Sequence, residues 1–536
     1  MDHITESIRR GTTSLGMELG TTRAKAVLID KDRRILASGS CRWESRLESG
    51  LWVCRVEEAI SAMQKAFRAL ADEVRLRYGV PLTRIGRMGV SAMTPGHLVL
   101  DRDGTLLSPF YTWKNSNTAQ AAAVLTEEFD FRIPLRWGVA HLYQAVLEGR
   151  EYLPRIHAVT TLSGYLHSRL CGEHCLGLGD ASELFPMDPK TLHYDATMVE
   201  KFRRLTEKSL LSRDILELLP RPLAAGTVAG RLTEAGARLL DPTGSLESGT
   251  LMAPPEADAS TGLVATNAVA PGTGTVSAGT SVFAMTVLDQ PLSACRKTID
   301  SALTPSGHPV TLVQSYNGTT ELDTWLHLFR QVLDAAGAAP QDIYGLLLPK
   351  ALEADFEAGG VLAFNWLSGE PHAGSEQGLP MLLRPADGTL TLENFMKAHL
   401  CGMFTVLTMG IEKLQAENLH LTRLSAHGGI FKTPGVAQRF LAASMGIPVT
   451  IPESAGEGGA FGMALLADFL ESAGKTSLED YVSSAFRQIP GTTVVPTADE
   501  ISDFAAILRR YRAAIPAEIT AARCTPPLRS GQAVVK

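Results

Sequence analysis

Two short turns, Gly20-Thr21-Thr22 and Gly279-Thr280-Ser281, carry residue types suited to gripping a phosphate. Each sets hydroxyls beside main-chain N–H groups at the end of an apolar run, and donors grouped in that way make an anion cradle. Each turn leaves through a second apolar run that closes on an Asp ten residues after the Gly, Asp30 and Asp289. The leading glycines are expected to supply the backbone freedom of a tight turn. Gly-Thr pairs also end many strands for steric reasons, so one copy says little. Two copies with matched flanks, about 260 residues apart, suggest a duplicated fold that grips one polyphosphate from two sides.

Other residues could act beside such a cradle. Asp258 follows the stiff approach Pro254-Pro255-Glu256-Ala257 and stands where a helix would begin, so it reads either as an N-cap or as a carboxylate presented for chemistry. Gly428-Gly429, in SAHGGIFKTPG, lets backbone approach a flat or charged ligand, and paired glycines also close strands for packing reasons. Met93-Thr94-Pro95-Gly96 follows a buried strand, where an α/β sheet usually presents ligand contacts. Cys171, His174 and Cys175 approach a metal spacing, but no second Cys/His pair completes four ligands.

The elements that must position these residues follow from periodicity. Met17–Asp30 is a hairpin, and Arg34–Arg42 adds a third strand. Apolar residues at helical spacing predict a helix over Val56–Tyr78, and Ile85–Ser91 and His97–Asp101 read as strands. From Asn117 to about Leu218 the pattern is mostly helical, with helices around Ala119–Phe129, Ala140–Glu148 and Leu162–Leu170, an insertion that would form one wall of a cleft. The second half repeats the hairpin, continues with a strand over Val310–Ser315 and a helix over Glu321–Ala335, and carries a long helix from Leu392 to about Gln415. The chain closes with a helical tail and a polar segment, Cys524–Lys536, expected to fray.

Composition describes an ordinary soluble enzyme. The 536 residues suit two domains, and 45% hydrophobic with 20% charged residues excludes disorder. The net charge of -7 argues against a nucleic-acid surface. No leader pattern and no stretch of about 20 apolar residues is present, so no membrane partner and a cytoplasmic location are expected. The seven scattered cysteines read as reduced thiols.

Taken together, MELGTT, the DRDG turn followed by TWKN, GDAS, EADASTG, SAGTS, HGGIFKTP and AGEGGAFGMALLA resemble, in order and spacing, the FGGY family of carbohydrate kinases. The likeness covers roughly Leu15 to Lys475. It implies an α/β protein with the duplicated actin-like (ribonuclease H-like) ATPase fold, two domains around a central cleft. The expected division is an extension over 1–14, a sugar-binding and catalytic domain over 15–268, a nucleotide-binding domain over 269–475 and a helical tail over 476–536.

The resemblance also implies roles. Asp258 matches the family's catalytic aspartate, which takes the proton of the attacking sugar hydroxyl. Gly20, Thr21 and Thr22 look like the loop that meets the terminal phosphates of ATP, Lys25 matches a basic position that neutralises them, and Gly279, Thr280 and Ser281 face them from the other domain. Gly428, Gly429 and Thr433 match positions on the adenosine side. Thr94, Pro95, Trp113 and Asn115 match the sugar site. Two departures stand out: Glu18 replaces the Asp that helps to hold Mg²⁺ in this family, and Met93-Thr94-Pro95-Gly96 and Trp113-Lys114-Asn115 replace the Gln-Met-His-Gly and Trp-x-Asp of xylulose kinases. The resulting expectation is ATP- and Mg²⁺-dependent phosphorylation of a small sugar, with a pentulose in first place. The alternatives are a kinase for a polyol or sugar acid, or a catalytically silent sugar- and ATP-binding sensor. The oligomeric state stays open, a homodimer included.

Overall fold

The strand Ser14–Leu19 is covered on both faces, and the sequence shows why. Alternate residues of a strand point to opposite sides. Leu15, Met17 and Leu19 are fully buried and join Met63, Phe67 and Leu70 of the helix Val56–Tyr78 in one core. Gly16 faces the other way, onto the helix Gly458–Phe469, and a Cβ there would stand 2.0 Å from the carbonyl oxygen of Ala460. Its register partner on the neighbouring strand is Gly89, which lies over the end of Met463. The two glycines form a seat that lets this helix approach the sheet at backbone distance.

The computed structural model describes residues 2–525 apart from 49, 339 and 418. The chain forms two compact units, one of Met1–Thr273, Thr286–Thr311 and Glu453–Pro490, the other of Gly274–Met285, Leu312–Pro452 and Gly491–Lys536. Sequence order alone places Glu453–Pro490 with the second half. Its helix belongs with the first unit because that is where the glycine seat lies. In the first unit the strands run in the order Leu251–Met252, Arg87–Ala92, Ser14–Leu19, Arg23–Ile29 and Ile35–Arg42, with Glu256–Ala257 also paired to Arg87–Ala92. Ser14–Leu19 and Arg23–Ile29 are the antiparallel hairpin. Ser14–Leu19, Arg87–Ala92 and Glu256–Ala257 are parallel, so their C-terminal ends share one edge of the sheet. Leu98–Leu100 pairs instead with Ala158–Thr160 in a small sheet of its own. The helical insertion carries a second core, in which Phe185 meets Phe202 and Tyr194 edge to face.

In the second large sheet, Asp300–Leu303, Pro309–Ser315, Val282–Val287, Thr273–Ala278, Arg423–His427, Val449–Pro452 and Gly491–Val494 are neighbours in that order. The helix Leu392–Gln415 opens on Thr391, whose hydroxyl accepts from the N–H of Asn394, and it is buried along most of its length. The last helix, Ala498–Cys524, begins with a capping box between Thr497 and Glu500. Most of the polar segment expected to fray, 526–536, lies outside the described residues.

Candidate active site

Three parallel strands end side by side, and a candidate group follows each end. Gly20-Thr21-Thr22 follows Leu19, the Thr94-Pro95 loop follows Ala92, and Asp258 follows Ala257. This is the edge at which open α/β sheets hold ligands. The loops are tied together. The N–H of Met93 donates to the Leu19 carbonyl at 2.8 Å, and the N–H of Thr94 donates to Oδ1 of Asp258 at 3.3 Å. The Trp43 indole donates to the Gly20 carbonyl at 2.7 Å and ties down the Gly20-Thr21-Thr22 turn. Asp258 is not the helix cap. Ala257, in extended conformation, holds that place, and Asp258 is the first residue of the helix Asp258–Ala265. Its carboxylate is thereby free of capping duty.

The charges around Asp258 are crowded. Burial raises its pKa well above the usual carboxylate range, the nearby carboxyls of Glu18 and Glu183 raise it further, and the N–H groups of Thr94 and Ala259 oppose them. Glu18 lies opposite Lys25 across the hairpin. Its Oε2 accepts from the N–H of Ala460 at 3.3 Å, at the start of the helix Gly458–Phe469. Burial raises the Glu18 pKa, while Lys25 and the helix N–H groups pull it down. Lys25 itself donates to the Gly456 carbonyl at 2.7 Å. A Cβ at Gly459 would come within 2.6 Å of Oε1 of Glu18, so the Gly-Gly start of this helix is what admits the longer side chain.

The donor set fits Mg²⁺. That ion keeps several waters and uses one or two carboxylates together with substrate phosphates, so it does not need a closed cage of side chains. Among the described residues no three His, Cys, Asp or Glu side chains form such a cage. Glu18 and Asp258 offer two carboxylates whose mutual repulsion a dication would relieve.

Glu183, which acts on Asp258, and Asp180 and Glu256 beyond it form a buried group of carboxyls to which the sequence pattern alone assigned no role. Glu183, on the helix Leu178–Leu184, is raised to about 7 by burial and by Asp180, with Arg136 and the Thr94 hydroxyl acting against them. Asp180 is fully buried and raised to about 6, although the hydroxyl of Thr161 donates to it at 2.7 Å and that of Ser163 also bonds to it. Glu256 is buried too, and its Oε2 accepts from the N–H of Asp180 at 3.0 Å. It pins that helix to the strand that carries Asp258. The signal was present in GLGDASELF, where acids interrupt an otherwise apolar helix and so had to be either buried or exposed at a site.

The remaining candidates divide. Trp113 is half-exposed and donates from its indole to Oγ1 of Thr21 at 3.0 Å, so the sugar-site candidate touches the first turn. Asn115 is committed elsewhere: its Oδ1 accepts from the Trp52 N–H at 2.8 Å and its Nδ2 donates to the Trp52 carbonyl at 2.8 Å and the Thr112 carbonyl at 3.0 Å. Both amide hydrogens are used, and the side chain acts as a bracket for the backbone. Pro95 is buried behind Thr94.

Neither Gly20 nor Gly279 adopts a positive φ, contrary to the turn argument. A Cβ at Gly279 would meet nothing within 4 Å, so what glycine provides there is open space for a ligand. In the second unit the N–H of Gly279 donates to the Ser281 carbonyl at 2.9 Å, and Thr280 is exposed. Gly428 does require glycine: its φ is 125°, and a Cβ would lie 2.0 Å from the Ala278 carbonyl oxygen. That contact sets the Gly428-Gly429 turn beside the Gly279-Thr280-Ser281 turn. Gly429 is exposed, and Thr433 closes the single helical turn that follows.

The two halves match known family models in order. Residues 13–240 match the N-terminal domain of the FGGY family of carbohydrate kinases, and residues 274–470 match its C-terminal domain. The chain belongs to this family. The FGGY fold extends to solved structures of low identity: a xylulose kinase from Rhodospirillum rubrum is 17% identical with a TM-score of 0.77, over 94% of this chain and 98% of that one. A gluconate kinase from Lactobacillus acidophilus is 18% identical with a TM-score of 0.77, over 96% of this chain and 99% of that one. A glycerol kinase from Thermococcus gammatolerans is 26% identical over 200 residues, 35% of this chain. The matched stretch spans 40% of that relative's length. No described helix is long and apolar enough to cross a membrane.

Proposed function

We propose that this FGGY chain transfers the terminal phosphoryl group of ATP to a hydroxyl of a small sugar, with a pentulose as the first substrate to test. The observation that carries the reading is the junction of Thr94 and Asp258: the loop after one parallel strand donates its N–H to a carboxylate that opens the next helix. Asp258 accepts the proton of the attacking hydroxyl. The new bond forms between that oxygen and the terminal phosphorus as the bond to the leaving oxygen breaks, and ADP departs. Thr21, Thr22 and Lys25 receive phosphate oxygens from the first unit. The second unit carries the other candidates for the nucleotide, Thr280, Ser281, Gly428, Gly429 and Thr433. Glu18 would hold Mg²⁺, and the ion would supply positive charge against the phosphates. The glycerol and gluconate kinases among the relatives widen the test panel to polyols and sugar acids.

A coupled ADP-release assay across pentuloses, hexuloses, polyols and sugar acids tests the reading. Turnover on at least one of them is expected, falling by about 100-fold or more in Asp258→Asn, which keeps the shape of the side chain and cannot take the proton. ATP binding without turnover on any compound would point to the sensor alternative. Asp258→Asn with near-parent turnover would remove this residue from the mechanism.

A further inference from the structure

Glu183 is the group beside the proposed base that the mechanism above leaves unused. Thr94 links the two: its N–H donates to Asp258, and its hydroxyl lies close enough to Glu183 to favour the ionised carboxyl. Oε2 of Glu183 and the hydroxyl oxygen of Thr94 are both buried, and neither has a hydrogen-bond partner. A buried acceptor without a donor costs free energy, so a ligand that brings one is favoured. A sugar hydroxyl both donates and accepts, and it suits the carboxyl in either protonation state.

The charges nearby set a second requirement. Glu18 and Glu183 both place their charge on Asp258, with Asp180 behind Glu183. The cations around them are already engaged. Arg136 donates to Oδ2 of Asp300 at 2.6 Å, Arg132 lies 3.5 Å from the other oxygen of Asp300, and Lys25, which faces Glu18, is the cation assigned above to the phosphates of ATP. A carboxylate on the substrate would add a like charge and find no unpaired cation among these groups.

We propose that Glu183 is a specificity-determining residue, which takes a hydrogen bond from a substrate hydroxyl next to the one phosphorylated, and that the site therefore selects uncharged polyhydroxy compounds and turns away sugar acids. The inference rests on Asp258 marking the substrate site and deepens that reading.

Calorimetric titration of the full chain with xylulose, ribulose, glycerol and gluconate separates the two claims, because it reads selectivity without turnover. At least one uncharged compound binds, and gluconate binds at least about 100-fold more weakly. Glu183→Gln weakens binding of the uncharged compound by about 10-fold and narrows the gap to gluconate, since it removes a charge and a strong acceptor. Glu183→Asp restores part of both. In turnover, Glu183→Gln raises KM more than it lowers kcat, whereas Asp258→Asn lowers kcat and keeps the discrimination. Thermal melting of each variant confirms that it is folded. Gluconate binding as tightly as the uncharged compounds, no binding by any uncharged compound, or unchanged discrimination in both Glu183 variants would overturn the proposal. Selectivity that survives with Asp258→Asn still active would instead cost only the base assignment.

Discussion

At the scale of single residues, the site is a set of carboxyls that hold protons more firmly than they would in water. A base must be ionised to act. Asp258 has a raised pKa, so kcat/KM should climb with pH through a value above the usual carboxylate range. Glu18 is one cause of that rise, and Glu18→Gln should therefore shift the acid limb of the pH–rate profile to lower pH. The same variant should need more Mg²⁺ for half-maximal turnover. A limb and a Mg²⁺ titration that both stay put would remove Glu18 from the site. Asp180 gives a stability counterpart. Its pKa is pushed up to about 6 in the folded chain from 3.8 for a free aspartate, so the folded state binds the proton more tightly. Its contribution is most favourable below about pH 4 and is lost as pH rises through about 6. Asp180→Asn, which can still accept from Thr161 and Ser163, should flatten that part of the melting-temperature profile. An unaltered slope would show that Asp180 is not its source. Asp180 and Glu256 stood within the motifs GDAS and EADASTG, but their burial was not legible in the sequence, because the acids of GLGDASELF fit an exposed helix face as well as a buried cluster. Asp258 was legible as a residue at a helix start, and only the folded chain shows that Ala257 takes the cap position in its place. Asn115 shows the reverse: its type suits a sugar, and the backbone of Trp52 has taken it.

At the scale of elements, sequence periodicity located the long helices well. Val56–Tyr78 and Leu392–Gln415 fall where apolar spacing puts them, since each buries a continuous stripe. It could not reveal what covers the other face of the first sheet, because Gly16 and Gly89 carry no side-chain signal of their own. Those two glycines predict a contrast. Gly16→Ala drives a Cβ to 2.0 Å from a backbone oxygen that cannot move aside, and should destabilise the chain by about 3 kcal/mol or more. Gly89→Ala meets only the flexible end of Met463 and should cost about 1 kcal/mol. Denaturant midpoints read both. Equal costs would mean that the helix Gly458–Phe469 can lift off the sheet, and Glu18 would then lose its seat as well.

At the scale of the whole chain, the duplicated turns were visible as a repeat, and each sits at the end of its own strand in its own unit. The grouping of Glu453–Pro490 with the first unit was not visible, because contact between segments more than 360 residues apart leaves no local pattern. Native-state hydrogen exchange should find the amides of Gly458–Phe469 and Ser14–Leu19 opening with one common free energy. A helix that exchanges far sooner than the strand would show that it is an accessory. If they do open together, the ribosome faces a particular problem. The first strands emerge early, yet the helix that closes their second face is translated only after some 440 further residues, and until then the Gly16 and Gly89 surface is bare. The nascent chain should therefore depend on holdase chaperones for most of its synthesis, and premature stop codons before Gly458 should yield aggregates and not a smaller folded protein.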